Sequence, residues 1–152
     1  MATQRNFIRV SYSLLSKLES GYVDEALAML QGKELPSTEP QEAGKKLHTY
    51  TERHIKKFGR LPDVLGGDNL TGKTEQFLET TWQYADWDIE LVGFVDHVSD
   101  TGKLIQDWKF GKTELSQYVG GKQHKLYKLL EPRGKHFIYR HYNPYNDQLK
   151  SA

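Results

Sequence analysis

Cysteine is absent from all 152 residues, which excludes disulfides, thiolate zinc sites, iron–sulfur clusters and cysteine nucleophiles together. No run approaches the roughly 20 apolar residues of a membrane-spanning helix, and Met1–Val10 lacks the apolar stretch of a secretory signal. The expectation is a cytoplasmic, intracellular protein of bacterial or phage type with no membrane association. A net field is missing as well. Lys+Arg 21 against Asp+Glu 20 gives +1, so total charge selects no polyanionic partner. The length suits one domain, expected as residues 1–152, with its core over 10–142 and a frayed polar tail over 143–152. A multidomain motor enzyme does not fit in it.

Charge is present in blocks. Residues 19–42 hold Glu19, Asp24, Glu25, Glu34, Glu39 and Glu42 against Lys33, whereas 43–60 hold Lys45, Lys46, Arg53, Lys56, Lys57 and Arg60 against Glu52. Residues 109–140 add eight basic residues against Glu114 and Glu131. Two basic tracts in a neutral chain either line a groove for phosphates or form solvated helix faces, and charge alone leaves both open.

Apolar spacing of three to four predicts short helices over Ser11–Leu18 and Val23–Leu30, broken at Ser20-Gly21. A longer helix is expected from about Glu39–Gln41 to Phe58, stopped by Gly59. The Gly-, Pro- and Asp-rich Leu61–Lys73 reads as an irregular connection. Thr74–Tyr84, Ile89–Val98 and Leu104–Phe110 then read as strands of a meander. Leu115–Leu130 reads as one helix weakened by Gly120-Gly121, and His136–Tyr142 as a last strand. The expected class is α+β, a small central mixed sheet flanked by helices.

Chemistry concentrates in Glu90–Lys112. If Thr101-Gly102 form a two-residue hairpin loop, Asp100 pairs with Lys103 and Asp96 falls directly opposite Asp107. Opposed side chains share a face with Cβ atoms about 4.5–5.5 Å apart, and like charges there are unfavourable unless a cation offsets them. Lys109, two residues past Asp107, projects from that same face. A one-residue shift of register would instead send the aspartates to opposite faces.

The ordered motifs Gly93-Phe94-Val95-Asp96, Asp107-Trp108-Lys109 and Gln123-His124-Lys125-Leu126-Tyr127 resemble the PD-(D/E)XK nuclease superfamily, in particular its RecB-like exonuclease branch. Upstream, Gly44-Lys45-Lys46-Leu47-His48 resembles that branch's G-x-x-L-H helix, and Val10-Ser11-Tyr12-Ser13 its S-x-S start. The resemblance covers residues 10–142 and implies a restriction-endonuclease-like fold. It implies His48, Asp96, Asp107 and the Trp108 carbonyl as ligands of one or two Mg²⁺ or Mn²⁺ ions. Lys109 would position the attacking water, while Gln123 and Tyr127, on one helix face, orient the strand. It further implies a deoxyribonuclease of DNA repair or recombination, exonucleolytic on single strands or duplex ends. Lys45, Lys46, Arg53, Lys122 and Lys125 would hold DNA beside the site. The four cysteines of cluster-bearing relatives are missing, so no iron–sulfur cluster is expected. Glu75 or Glu79 could add an acid; Glu90 lies too far from Asp96. With no helicase segment, the domain would act alone, as a homo-oligomer or through a recruiting partner.

Other readings stay open on the residues. Gly67-Asp68-Asn69-Leu70-Thr71-Gly72-Lys73-Thr74 spells a nucleotide phosphate loop, which works only between a buried strand and a helix. The fold could equally serve as a non-catalytic nucleic-acid-binding module, or hold an ion for structure alone. Glu52 either orients His48 or forms an i,i+4 surface pair. Trp82, Tyr84 and Trp87 read as cross-strand packing or as a base-stacking platform.

Overall fold

Helices begin where a side chain can satisfy their free N–H groups. In the computed structural model, which describes residues 4–152, Ser11 accepts from the Leu14 N–H and opens α1 (Tyr12–Glu19); α2 (Val23–Leu30) follows the Ser20-Gly21 break. Helix α3 (Glu39–Phe58) opens on a reciprocal capping box between Thr38 and Gln41, with Pro40 in its first turn. It ends at Gly59, whose φ of +67° closes the last turn through the Ile55 carbonyl. The strands are β1 (Asn6–Val10), β2 (Lys73–Tyr84), β3 (Trp87–Val98), β4 (Leu104–Phe110), β5 (His136–Asn143) and β6 (Gln148–Ser151). They form a mixed sheet in the order β1-β3-β4-β5-β6, with β2 also pairing with β3. With helices flanking it, the fold is α+β.

The chain gathers into two compact units. One holds the residues up to Pro36 with Phe77–Gly93, the other Ser37–Gln76 with Phe94–Ala152. In the first, β1 runs parallel to the start of β3, from Asn6↔Trp87 to Val10↔Leu91, and Arg5 ties itself to Asp88 at 2.8 Å. The second unit carries His48, Glu75, Asp96, Asp107, Lys109, Gln123 and Tyr127. Its core joins Ile55 of α3, Leu61 and Leu65 of the following connection, and Trp108 of β4. Burying these side chains fixes α3 against β4, since each contributes roughly 1.5–3 kcal/mol on leaving water.

The β3–β4 ladder contains His97↔Gln106 and Val98↔Ile105, the register expected from the sequence. The loop differs. The Ser99 N–H donates to the Leu104 carbonyl and the Gly102 N–H to the Ser99 carbonyl, so four residues rather than Thr101-Gly102 alone make the turn. Lengthening by one residue on each side leaves the pairing sum unchanged, and with it the face of every side chain.

Two expectations are corrected, one strand is added and one open reading is closed. Leu115–Leu130 is two helices, α4 (Leu115–Gly120) and α5 (Gln123–Leu130), because the glycine pair cannot carry a helix across. The tail over 143–152 contains β6, antiparallel to β5 from Arg140↔Ser151 to Asn143↔Gln148. Asn6–Val10 forms β1, five residues too short to signal itself without its partner. The phosphate-loop string fails its structural requirement: Lys73 and Thr74 enter strand β2, not a helix. Its Gly72 has a different role, because a Cβ there would stand 2.2 Å from the Val98 carbonyl oxygen. Glycine lets this loop pass against β3.

Candidate active site

Strand alternation sorts β4 into two sets. Gln106 and Trp108 turn to one face and Asp107 and Lys109 to the other. Trp108, 2% exposed, anchors the strand in the core and thereby fixes its neighbours. On the other strand Asp96 lies one step past the last ladder pair, His97↔Gln106, where β3 and β4 part. The Trp108 N–H, instead of continuing a ladder, donates to Asp96 Oδ2 at 2.6 Å.

Asp107 is strongly perturbed. Burial first, and then the negative Asp96, push its carboxyl up to about 7, against the pull of Lys109. Lys109 Nζ lies 2.6 Å from Asp107 Oδ2. That is ion-pair contact without hydrogen-bond geometry, so this buried oxygen has no hydrogen-bond partner. The ammonium donates instead to Gln123 Oε1 at 2.7 Å and lies 5.2 Å from the Tyr118 ring centre. Gln123 in turn donates to the Tyr127 hydroxyl at 3.0 Å, and that hydroxyl donates to the Phe94 carbonyl at 2.9 Å. Burial and then the Asp107 charge raise the Tyr127 pKa, so it stays a neutral donor. The expected i,i+4 pair therefore holds the lysine in place.

Helix α3 delivers His48, whose Nδ1 is 3.5 Å from Asp96 Oδ1 and whose ring packs edge-on against Phe110 at 5.0 Å. Burial works to lower its pKa, but Asp96, with Asp107 and Glu75 beyond it, outweighs that and holds it above the usual value. Of the two further acids, Glu75 is the one coupled to this cluster. Partial burial and then the charges of Asp96 and Glu52 raise its pKa, while His48 and Lys56 oppose the rise. It adopts φ +51°, a strained conformation for a residue with a side chain. No spacing rule singles it out, because the signal is backbone strain. Glu90 pairs with Arg9 at 3.1 Å, and Glu52 forms the surface pair with Lys56 at 2.6 Å.

The basic residues separate. Lys45, Lys46 and Arg53 line one surface depression of about 330 Å³ on α3 with Thr49 and Tyr50. Lys122 is exposed at the start of α5. Lys125 is turned away from the Gln123–Tyr127 face by helical geometry and lines a separate cavity of about 310 Å³ with Ile105, Lys128 and Phe137. It does not flank the aspartates as expected. Trp82, Tyr84 and Trp87 remain exposed rather than packed in the core.

Among the described residues, no three His, Cys, Asp or Glu side chains form a ready-made ion cage. The donors nevertheless suit a hard divalent cation: two buried carboxylates, one of them with an oxygen lacking any donor, and a nearby imidazole. In this structure positive charge beside Asp107 comes from Lys109.

No family model and no curated protein sequence matches the chain. Solved structures do. The crystal structure of SSO0001 matches with a TM-score of 0.61 at 16% identity, over 100% of this chain and 68% of that one. LHK-Exo, an exonuclease crystallised in complex with dAMP, matches with a TM-score of 0.53 at 16% identity, over 94% of this chain and 75% of that one. At such identity the likeness is one of fold. The α+β arrangement found here is shared with that exonuclease.

Proposed function

We propose that this protein is a metal-dependent deoxyribonuclease of the PD-(D/E)XK type, RecB-like branch, acting as an exonuclease on single strands or duplex ends. The observation that carries the reading is the buried, donor-less Oδ2 of Asp107 beside Asp96 and Lys109. Two carboxyls forced together in a dry site are costly in stability, and a catalytic cation is the natural reason to keep them.

Asp96, Asp107, His48 and the Trp108 carbonyl would hold one or two Mg²⁺ or Mn²⁺ ions, which supply Lewis acidity and neutralise charge on the scissile phosphate. Lys109, held by Gln123 and Tyr127, orients the attacking water and stabilises negative charge building on phosphate oxygens. His48, its Nδ1 3.5 Å from Asp96 Oδ1, keeps that side chain aimed into the site. The depression lined by Lys45, Lys46 and Arg53 binds the DNA backbone. Its capacity to act alone, as a homo-oligomer or with a recruiting partner belongs to the same proposal.

Labelled single- and double-stranded DNA incubated with Mg²⁺, Mn²⁺ or EDTA tests this. Shortening from an end with either metal and none in EDTA is the expected result. Salt-sensitive binding without cleavage under any metal would favour the non-catalytic module instead. That second reading draws on the absence of a formed ion cage among the described residues and on the backbone N–H already bound to Asp96.

A further inference from the structure

Every fourth residue along one stripe of α3 is an aromatic or imidazole ring: Tyr50, His54 and Phe58. Spacing of i, i+4, i+8 stacks them in a row along the helix. Ring centres are 6.0 Å apart from Tyr50 to His54 and 4.7 Å from His54 to Phe58. The row is not core. Tyr50 is 55% exposed and Phe58 53% exposed, while the buried side of α3 is Thr51 and Ile55. Nor is it loose, because His54 Nδ1 lies 3.0 Å from the Arg60 carbonyl oxygen, which sets the plane of the middle ring.

Cations border the row. Lys57 Nζ is 5.2 Å from the Phe58 ring centre and the Arg60 guanidinium 6.0 Å from it. At the other end Lys46 and Arg53 line the depression that includes Tyr50. The acids nearby are already engaged: Glu42 with Lys45 at 3.2 Å, Glu52 with Lys56 at 2.6 Å and Asp63 with Arg60 at 3.5 Å. Lys46, Arg53 and Lys57 form no ion pair among the described residues. Exposed rings spaced for successive planar groups, edged by unpaired cations, suit a chain that alternates flat bases with phosphates. An apolar protein partner would use the rings and leave those cations uncompensated.

We infer that the Tyr50–His54–Phe58 row is a stacking platform for unpaired bases of a single-stranded nucleic acid, with Lys46, Arg53 and Lys57 taking the phosphates. This deepens the nuclease reading and rests on it for its biological sense: the platform makes single strands the substrate class. Tyr50 lies across α3 from the Asp96-facing His48, and Phe58 lies ten residues, about 15 Å, further along the helix, so they bind substrate outside the catalytic machinery.

The test is fluorescence anisotropy in EDTA, comparing an oligothymidylate with an abasic deoxyribose-phosphate oligomer of the same length. The wild-type protein is expected to bind the thymidylate roughly tenfold or more tightly than the abasic strand. Tyr50→Ala/Phe58→Ala should lose that preference while keeping its abasic affinity, and Tyr50→Phe/Phe58→Tyr should retain it, which separates stacking from misfolding. Equal binding of both oligomers, binding of neither, a preference surviving the alanines, or a dimer that the alanines dissociate would each overturn the inference. Cleavage without base-dependent binding removes the platform and leaves the nuclease; base-dependent binding without cleavage does the reverse.

Discussion

The two faces of the β3–β4 ladder bury polar groups in opposite ways. On one face His97 and Gln106 are fully enclosed and fully answered. His97 Nε2 lies 2.6 Å from the Thr71 carbonyl oxygen and its Nδ1 3.1 Å from Gln106 Nε2, while Arg140 Nε donates to Gln106 Oε1 at 2.8 Å. Those partners assign the neutral tautomer with its proton on Nε2, and burial holds the His97 pKa down, with Arg140 adding to the effect. On the other face, one residue along each strand, Asp96 and Asp107 face each other with like charge and too few donors. A satisfied buried network stabilises and specifies a fold; a frustrated one is kept for what it can bind. The same ladder thus carries a structural face and a chemical face, and its register decides which residues belong to each.

The sharpest break of that contrast is Asp107→Asn. It should lower the cleavage rate at least about a thousandfold, read in single-turnover assays, because it removes an anionic ligand. The same variant should melt higher than wild type at pH 8 in EDTA, since it removes a desolvated charge held against the like charge of Asp96. An inactive variant that is also less stable would mean the acid is structural. Lys109→Met comes next, with a rate loss of about a hundredfold. Its melting temperature in EDTA should drop more at pH 8 than at pH 5, where Asp107 can hold a proton.

His97→Leu should act on the other face alone. It costs roughly 1–3 kcal/mol of stability by stranding the Thr71 carbonyl and Gln106, measured by urea unfolding, with cleavage per folded molecule unchanged. A pH series sharpens the comparison further. Asp107 has a folded-state pKa of about 7 against an ordinary 3.8, so between them the folded chain keeps a proton that the unfolded chain releases. Stability without metal therefore falls as pH climbs from about 4 to 7, by an amount of order 4 kcal/mol. A flat profile in this window would show that the carboxyl is not perturbed. The smallest effect belongs to Tyr127→Phe, which removes the hydroxyl that links Gln123 to the Phe94 carbonyl. It should cost about 1 kcal/mol and reduce kcat only a few-fold.

Much of this arrangement is legible along the chain. The capping residues Ser11 and Thr38, the stop at Gly59 and the period-two runs of β3 and β4 announce themselves locally, because each depends on residues within a turn or a strand. Asp96, Asp107 and Lys109 share a face for the same reason. What escaped depends on distant partners. Asn6–Val10 becomes a strand only beside Trp87–Leu91, and Gln148–Ser151 only beside Arg140–Asn143. The choice of Glu75 over Glu79 fell to a left-handed backbone, and Lys125, two residues from Gln123 on α5, faces a separate cavity.

By itself the sequence determined the bounds of the first three helices and of the inner strands, the absence of any cysteine-based chemistry, and the alternation that places two acids and a lysine on one side of a hairpin. Those are consequences of bonding geometry and of near neighbours. Only tertiary structure decided that the ladder stops short of the aspartates, that Trp108 gives its N–H to one of them, and that burial leaves the other without a donor. Desolvation depends on what every other segment packs into place, and no local pattern of residues encodes it.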